Sequence, residues 1–286
     1  MHVLVLDTNH VSELARDPAA PASAAVINRL QQGDVALAIS LFHLVELSNP
    51  AFASLSDARA LLRAVPHVLA NPYENVEDEE MASACALATG RTRRAPRVWA
   101  RDTSEWGYHP GPAGGSAIEM LDAFANMGTQ RDELLNLASY GARASMMKTA
   151  AALVRDPMLP LTLALQHHID QARGRHPSYA DGLTAAEVLQ RVDGKAAFPG
   201  YQMQEALLDQ RMRDVGQKST QNDVFDEYIA FYAPYACVTA VDRRTLHRAR
   251  MAKVPALPRM TRYLAEVPTI LERVVAGELA PVASTF

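Results

Sequence analysis

Five carboxylates stand where their type and spacing could do chemistry: Asp7, Glu46, Asp223, Asp226 and Asp242. Asp7 and Asp242 each close a short apolar run, VLVL in one case and ACVTAV in the other. Glu46 lies among Leu41, Phe42, Leu44, Val45 and Leu47, where a carboxylate without a partner is costly to bury. Asp223 and Asp226 are three apart and so share one face of a helix. Brought together, such acids repel one another and take up protons unless a cation neutralises them. An all-oxygen set favours Mg²⁺ or Mn²⁺ over zinc, which prefers His and Cys. One or two such ions activate water, orient it in line with a phosphodiester and stabilise charge on the leaving oxygen.

Each acid also has a plainer role open to it when taken alone. Asp7 suits a turn or helix cap, and Asp223 and Asp226 suit the positive end of a helix. Asp242 could pair with Arg243 or Arg244, and Glu46 could face solvent or join a salt bridge. What points to chemistry is that all five fall in elements able to reach one edge. No nucleophile motif competes with a metal, since GxSxG, CxxC and a GxxxxGK phosphate loop are absent. Directly after Asp242, the run RRTLHRARMAK supplies Arg243, Arg244, Arg248 and Arg250, placed to hold a nucleic acid backbone without reading its bases. The earlier arginine-rich stretch around Trp99 is explained equally well as an irregular surface loop.

The elements that would position these residues can be read from local pattern. His2–Leu6 is a continuous apolar run, the mark of a strand buried on both faces, so Asp7 stands at its carboxyl end. A helix over 25–32 stops at Gly33, and the strand pattern returns over 34–40. Ser40 can cap the helix that carries His43 and Glu46. A helix over 57–64, a short strand over 66–70 and a helix over 77–89 follow. Alternating strands and helices predict a parallel sheet, with ligands beyond the carboxyl ends of its strands. From about residue 90 the pattern breaks into Arg, Trp, Pro and Gly, and several helices are expected up to 213 before strand and helix resume near 221. The expected architecture is therefore α/β, with a discontinuous domain of residues 1–90 and 215–286 and a mainly helical insertion over 91–214.

Bulk composition sets limits on the partners. The chain has 286 residues, 49% hydrophobic and 21% charged, with a formal charge of −4, so binding to a polyanion must rest on local basic patches. Cys85 and Cys237 lie far apart, without metal spacing, and suit two free thiols in a reducing cytoplasm. No secretory signal and no apolar run of membrane-spanning length is visible.

The ordered set VLVLDTN, ISLFHLVEL and NDVFDEYIAFYAPYACVTAVDRR resembles the PIN-domain ribonucleases. Their pattern is a strand ending in Asp-Thr-Asn, a Glu on the second helix, an Asp opening a late helix, and an Asp after a strand with a Thr-x-Asp-like turn. The resemblance covers about 1–90 and 215–280; the helical middle matches no pattern. It implies a three-layer α/β/α fold with a central parallel sheet and a metal-dependent endoribonuclease using Mg²⁺ or Mn²⁺. Asp7, Glu46, Asp223 and Asp242 would be the catalytic acids, with Asn9 and Thr239 in supporting positions. Asp226 competes with Asp223, because DEYIA also matches the family's late helix start. RNA would be the substrate, and an antitoxin-like inhibitor or a second copy of the chain a further partner. Members are usually about half this length. Aspartyl phosphatases of the HAD type also begin with a strand ending in Asp, but they need a second Asp where this chain has Asn9. The remaining alternative is a non-catalytic scaffold of the same fold whose insertion binds a partner.

Overall fold

The computed structural model describes residues 1–92, 95–106, 115–128, 130, 131, 133, 156, 158–175, 182–192, 197–213 and 221–279; for 173–175 and 221–224 it describes the backbone alone. The first third alternates β1 (His2–Leu6), α1 (Thr8–Arg16), α2 (Pro21–Gln31), β2 (Val35–Ile39), α3 (Leu41–Leu47), α4 (Leu55–Ala64), β3 (His67–Ala70) and α5 (Tyr73–Ala88). Then come β4 (Trp99–Ala100), α6 (Ala117–Asn126), α7 (Leu159–Arg175), α8 (Ala185–Arg191) and α9 (Pro199–Arg213). The chain closes with α10 (Gln221–Ala230), β5 (Val238–Ala240), α11 (Arg243–Ala252), β6 (Met260–Thr261) and α12 (Val267–Val275). Among the described residues no helix is long and apolar enough to cross a membrane.

The strands form one six-stranded sheet in the order β4-β3-β2-β1-β5-β6. β1 pairs in parallel with β2 on one side, Leu4 opposite Leu37, and with β5 on the other, Leu6 opposite Ala240. The chain builds outward from β1 to β3, then returns across β1 to add β5 and β6. That reversal makes the carboxyl ends of β1 and β5 the switch point of the sheet, the place where open α/β sheets leave a crevice. The sheet is mixed and not fully parallel as expected, because β4 runs antiparallel to β3, Leu69 opposite Ala100. This edge strand arrives through an irregular stretch held by Asn71, whose backbone and side-chain N–H groups donate to Val98 O and Arg97 O, both at 2.8 Å.

Alternation along β1 divides the core in two. Leu4 and Leu6 pack with residues of α1, α2, α3, α4, α6 and α12, while Val3 and Val5 pack with Val76 of α5, Ile229 of α10 and the aromatic run Phe231, Tyr232 and Tyr235. Helices therefore cover both faces, compatible with three layers. Part of the stretch expected to be a helical insertion belongs to this core, since β4 extends the sheet and Ala117, Met120, Leu121 and Phe124 of α6 pack under it. α7 and α8 instead share an apolar cluster with Met81, Ala84 and Cys85 on α5. α9 is tied to α5 by Glu80, whose buried carboxylate accepts from Gly200 N at 2.7 Å and Tyr201 N at 3.2 Å, at the helix end that favours an anion, and from the Tyr235 hydroxyl.

Candidate functional site

β1 ends by handing Asp7 to the sheet edge, where its backbone N–H donates to Ala240 O at 2.8 Å. Its side chain is the N-cap of α1, with Oδ1 accepting from His10 N at 2.9 Å. Capping alone does not account for an acid here. Ser or Asn would cap as well, at about 1 kcal/mol, without bringing a charge to a position 1% exposed. The second oxygen, Oδ2, is buried with no hydrogen-bond partner, a state that costs about 1–3 kcal/mol for a polar atom and more for a charged one. His10 answers part of this charge. Its Nδ1 is in ion-pair contact with Asp7 Oδ1 at 2.5 Å, and its Nε2 meets Arg262 O at 3.0 Å. Burial lowers the His10 pKa, but the Asp7 contact, the Arg262 carbonyl and the Glu13 charge together outweigh it and the net shift is upward.

α3 brings Glu46 within range of the Asp7 charge. Ser40 caps that helix with His43 as its reciprocal partner: Ser40 N donates to His43 Nδ1 at 2.9 Å, and His43 N donates to Ser40 Oγ at 3.3 Å. With Nδ1 accepting, the ring proton sits on Nε2 and is donated to Leu6 O at 2.7 Å, the last carbonyl of β1. His43 thus pins the start of α3 to the strand end that carries Asp7, and burial holds its pKa down to about 4. Three residues on, Glu46 is 8% exposed, and its pKa is raised by burial first and by the Asp7 charge, with Thr8 opposing. Two buried carboxylates therefore feel each other at the carboxyl end of β1.

Asp242 repeats the arrangement one strand over. It caps α11, with Oδ1 accepting from Thr245 N at 2.6 Å, while Val241 N donates to Thr261 O at 2.9 Å. Thr239 is buried within β5 opposite Val5, behind the rim, and Asn9 is exposed on the first turn of α1. Phe42 of α3 packs at a tilt against Phe225 and stacks on Tyr228 of α10, ring centroids 4.8 and 5.4 Å apart, which draws α10 toward the helix of Glu46. Asp226 on α10 is half-buried, and the side chain of Asp223 lies outside the described residues. Among the described residues no three His, Cys, Asp or Glu side chains gather closely enough to hold a metal ion. Of the expected acids Asp7, Glu46, Asp223, Asp226 and Asp242, the described residues show the Asp7 charge acting on Glu46, with Asp242 just beyond the neighbouring strand. Asp7 and Asp242 each turn one oxygen onto the N–H groups at the start of their own following helix, which leaves Asp7 Oδ2 outside the cap.

The arginines divide in the same way. Arg243, Arg244 and Arg250 are exposed, as expected for backbone contacts. Arg248 is not available for that role: it is buried and paired with Glu227 at 3.1 Å, and Glu227 also holds Arg211 at 2.9 Å. An open basin of about 680 Å³ lies along α11, lined by Arg243, Arg244, His247, Arg250, Arg262 and Tyr263, with Leu246 and Arg248 in its floor. Sequence reasoning missed His10, Arg262 and Tyr263 entirely. His43 had a signal, since it takes the third helical position after a Ser cap, where Glu or Gln closes a capping box. Trp99, in the stretch read as an irregular surface loop, is instead buried in β4 against Tyr232 with ring centroids 5.9 Å apart. The chain matches no family model, no curated protein and no solved structure.

Proposed function

We propose that this chain is a metal-dependent nuclease resembling the PIN-domain ribonucleases, acting on RNA. The observation that carries the reading is the buried Asp7 Oδ2 without a hydrogen-bond partner, beside a Glu46 whose proton affinity is raised by burial and by Asp7. Two such groups are relieved either by a shared proton or by a cation. Oxygen donors suit Mg²⁺ or Mn²⁺, held by Asp7 and Glu46, with Asp242 and Asp223 or Asp226 completing the set in the family's pattern. Bound there, the ion would supply an activated water and charge neutralisation for phosphodiester hydrolysis. The chain's own parts then have distinct tasks. His10 fixes the orientation of Asp7, His43 fixes α3 and hence Glu46, and Arg243, Arg244 and Arg250 hold the phosphates that flank the cut.

The test compares wild type with Asp7→Asn on a mixed RNA pool, with Mn²⁺ and with a chelator. Cleavage by wild type only, and only with the ion, supports the reading; equal cleavage by both proteins rejects it. One observation favours a second reading, a non-catalytic scaffold of this fold: both strand-end acids already serve as helix caps. A scaffold leaves the pool intact and its melting temperature unmoved by Mn²⁺.

A further inference from the structure

α11 and the segment after β6 form two walls of one basin. On α11, Arg243, His247 and Arg250 follow at four and three residues, which puts them on one face, and all three are exposed. Arg243 and Arg250 are ~10 Å apart along the helix axis. The opposite face, Thr245, Leu246, Arg248 and Ala249, is buried, so the charged face is held at a fixed angle. The other wall is Arg262 and Tyr263. The Arg262 guanidinium carbon sits 4.4 Å from the Tyr263 ring centroid and a guanidinium nitrogen donates to the Tyr263 hydroxyl. Tyr263 is nevertheless 47% exposed, although aromatic surface is costly to leave in water.

The wall is anchored to the carboxylate pair. The Arg262 carbonyl contacts His10 Nε2 at 3.0 Å, and the other nitrogen of that ring touches Asp7. Tyr263 N donates to Thr261 Oγ1 at 3.1 Å, which fixes where the ring begins. A ligand with a row of negative charges and flat faces would thus find cations on one side and a braced aromatic ring on the other, one side chain away from Asp7.

We propose that Tyr263, braced by Arg262, is the stacking platform for an unpaired base of a single-stranded nucleic acid whose phosphates lie on Arg243 and Arg250, and that it sets the preference for single strands. The inference rests on the nucleic acid reading above and deepens it. A base can stack on the ring only when it is free of its own duplex neighbours, so a paired strand gains the arginine contacts and loses the ring. Phosphate contacts supply affinity that falls with salt; the ring supplies a contribution that does not.

The test is fluorescence anisotropy of the full chain with a short end-labelled oligouridylate, in chelator so that nothing is cut. Tyr263→Ala should weaken binding about tenfold, in the range of one lost base stack, and Tyr263→Phe should retain it. Arg243→Ala should lower the salt slope by about one phosphate contact. An abasic oligonucleotide of equal length should bind wild type as weakly as the normal one binds Tyr263→Ala. Wild-type affinity in Tyr263→Ala, or equal binding of abasic and base-bearing strands, overturns the proposal. The two readings fail separately: binding that depends on Tyr263 without any Mn²⁺-dependent cleavage removes the nuclease and leaves the platform, and cleavage indifferent to Tyr263 does the reverse. Circular dichroism of each variant excludes loss of fold as the cause.

Discussion

The imidazole of His10 bridges Asp7 and the Arg262 peptide, Nδ1 at 2.5 Å from the carboxylate and Nε2 at 3.0 Å from the carbonyl. One ring therefore connects the first strand-end acid to the basin wall, with His10 and Arg262 252 residues apart in sequence. It balances one oxygen of Asp7 and leaves the other, Oδ2, buried without a hydrogen-bond partner.

A cation that binds the folded chain through this pair should stabilise it by mass action, about 2.7 kcal/mol at one hundred times its dissociation constant. Asn caps a helix as well as Asp, so Asp7→Asn should melt within about 1 kcal/mol of wild type in chelator. Thermal melts with and without Mn²⁺ should show an upward shift in wild type that disappears in Asp7→Asn. An equal shift in both proteins would put the ion elsewhere.

Asp242 separates capping from chemistry. Asp242→Ala removes the acceptor for Thr245 N and should cost about 1 kcal/mol in urea unfolding, while Asp242→Asn keeps it and should cost only a few tenths. If the carboxylate serves the reaction, both substitutions should depress RNA cleavage alike. Wild-type turnover in Asp242→Asn would confine this residue to its helix.

His43 should make stability sensitive to acid. Burial holds it neutral in the folded chain down to about 4, against its ordinary 6.5, so between those values the unfolded chain binds more protons. Its contribution is complete above pH 6.5 and is lost as pH falls toward 4, about 3 kcal/mol in all. Protonating Nδ1 also removes the acceptor for Ser40 N. His43→Gln keeps a capping-box acceptor and does not titrate, so the difference between its unfolding free energy and that of wild type should change across this window. A constant difference would mean that His43 does not titrate there.

Arg248 and Arg243 should behave oppositely, although they lie on one helix. Arg248→Ala leaves Glu227 with one ion pair fewer in the core and should cost about 3–5 kcal/mol. Arg243→Ala removes an exposed charge and should change stability by about 0.5 kcal/mol or less while weakening oligonucleotide binding. Urea midpoints and anisotropy on both variants decide this, and a stable Arg248→Ala that binds RNA poorly would reverse the assignment.

The sequence by itself determined the features that depend on neighbours in the chain. The apolar run before Asp7 gave the strand and its end, Ser40 marked a helix start, and Gly33 a stop that it makes at φ +87°. The buried face of α11 was also legible in retrospect, because Arg248 falls between Thr245, Leu246 and Ala249 at helical spacing. Sequence could not name Glu227 and Arg211 as its partners, since a charge is buried only where a distant element supplies its counterion. For the same reason tertiary structure alone decided that the Asp7 charge acts on Glu46, that β4 runs antiparallel, and that Tyr263 stands opposite α11. Local pattern sets which face of an element turns inward; which side chains it then finds is settled by how distant elements pack, and the carboxylate pair is a property of that packing.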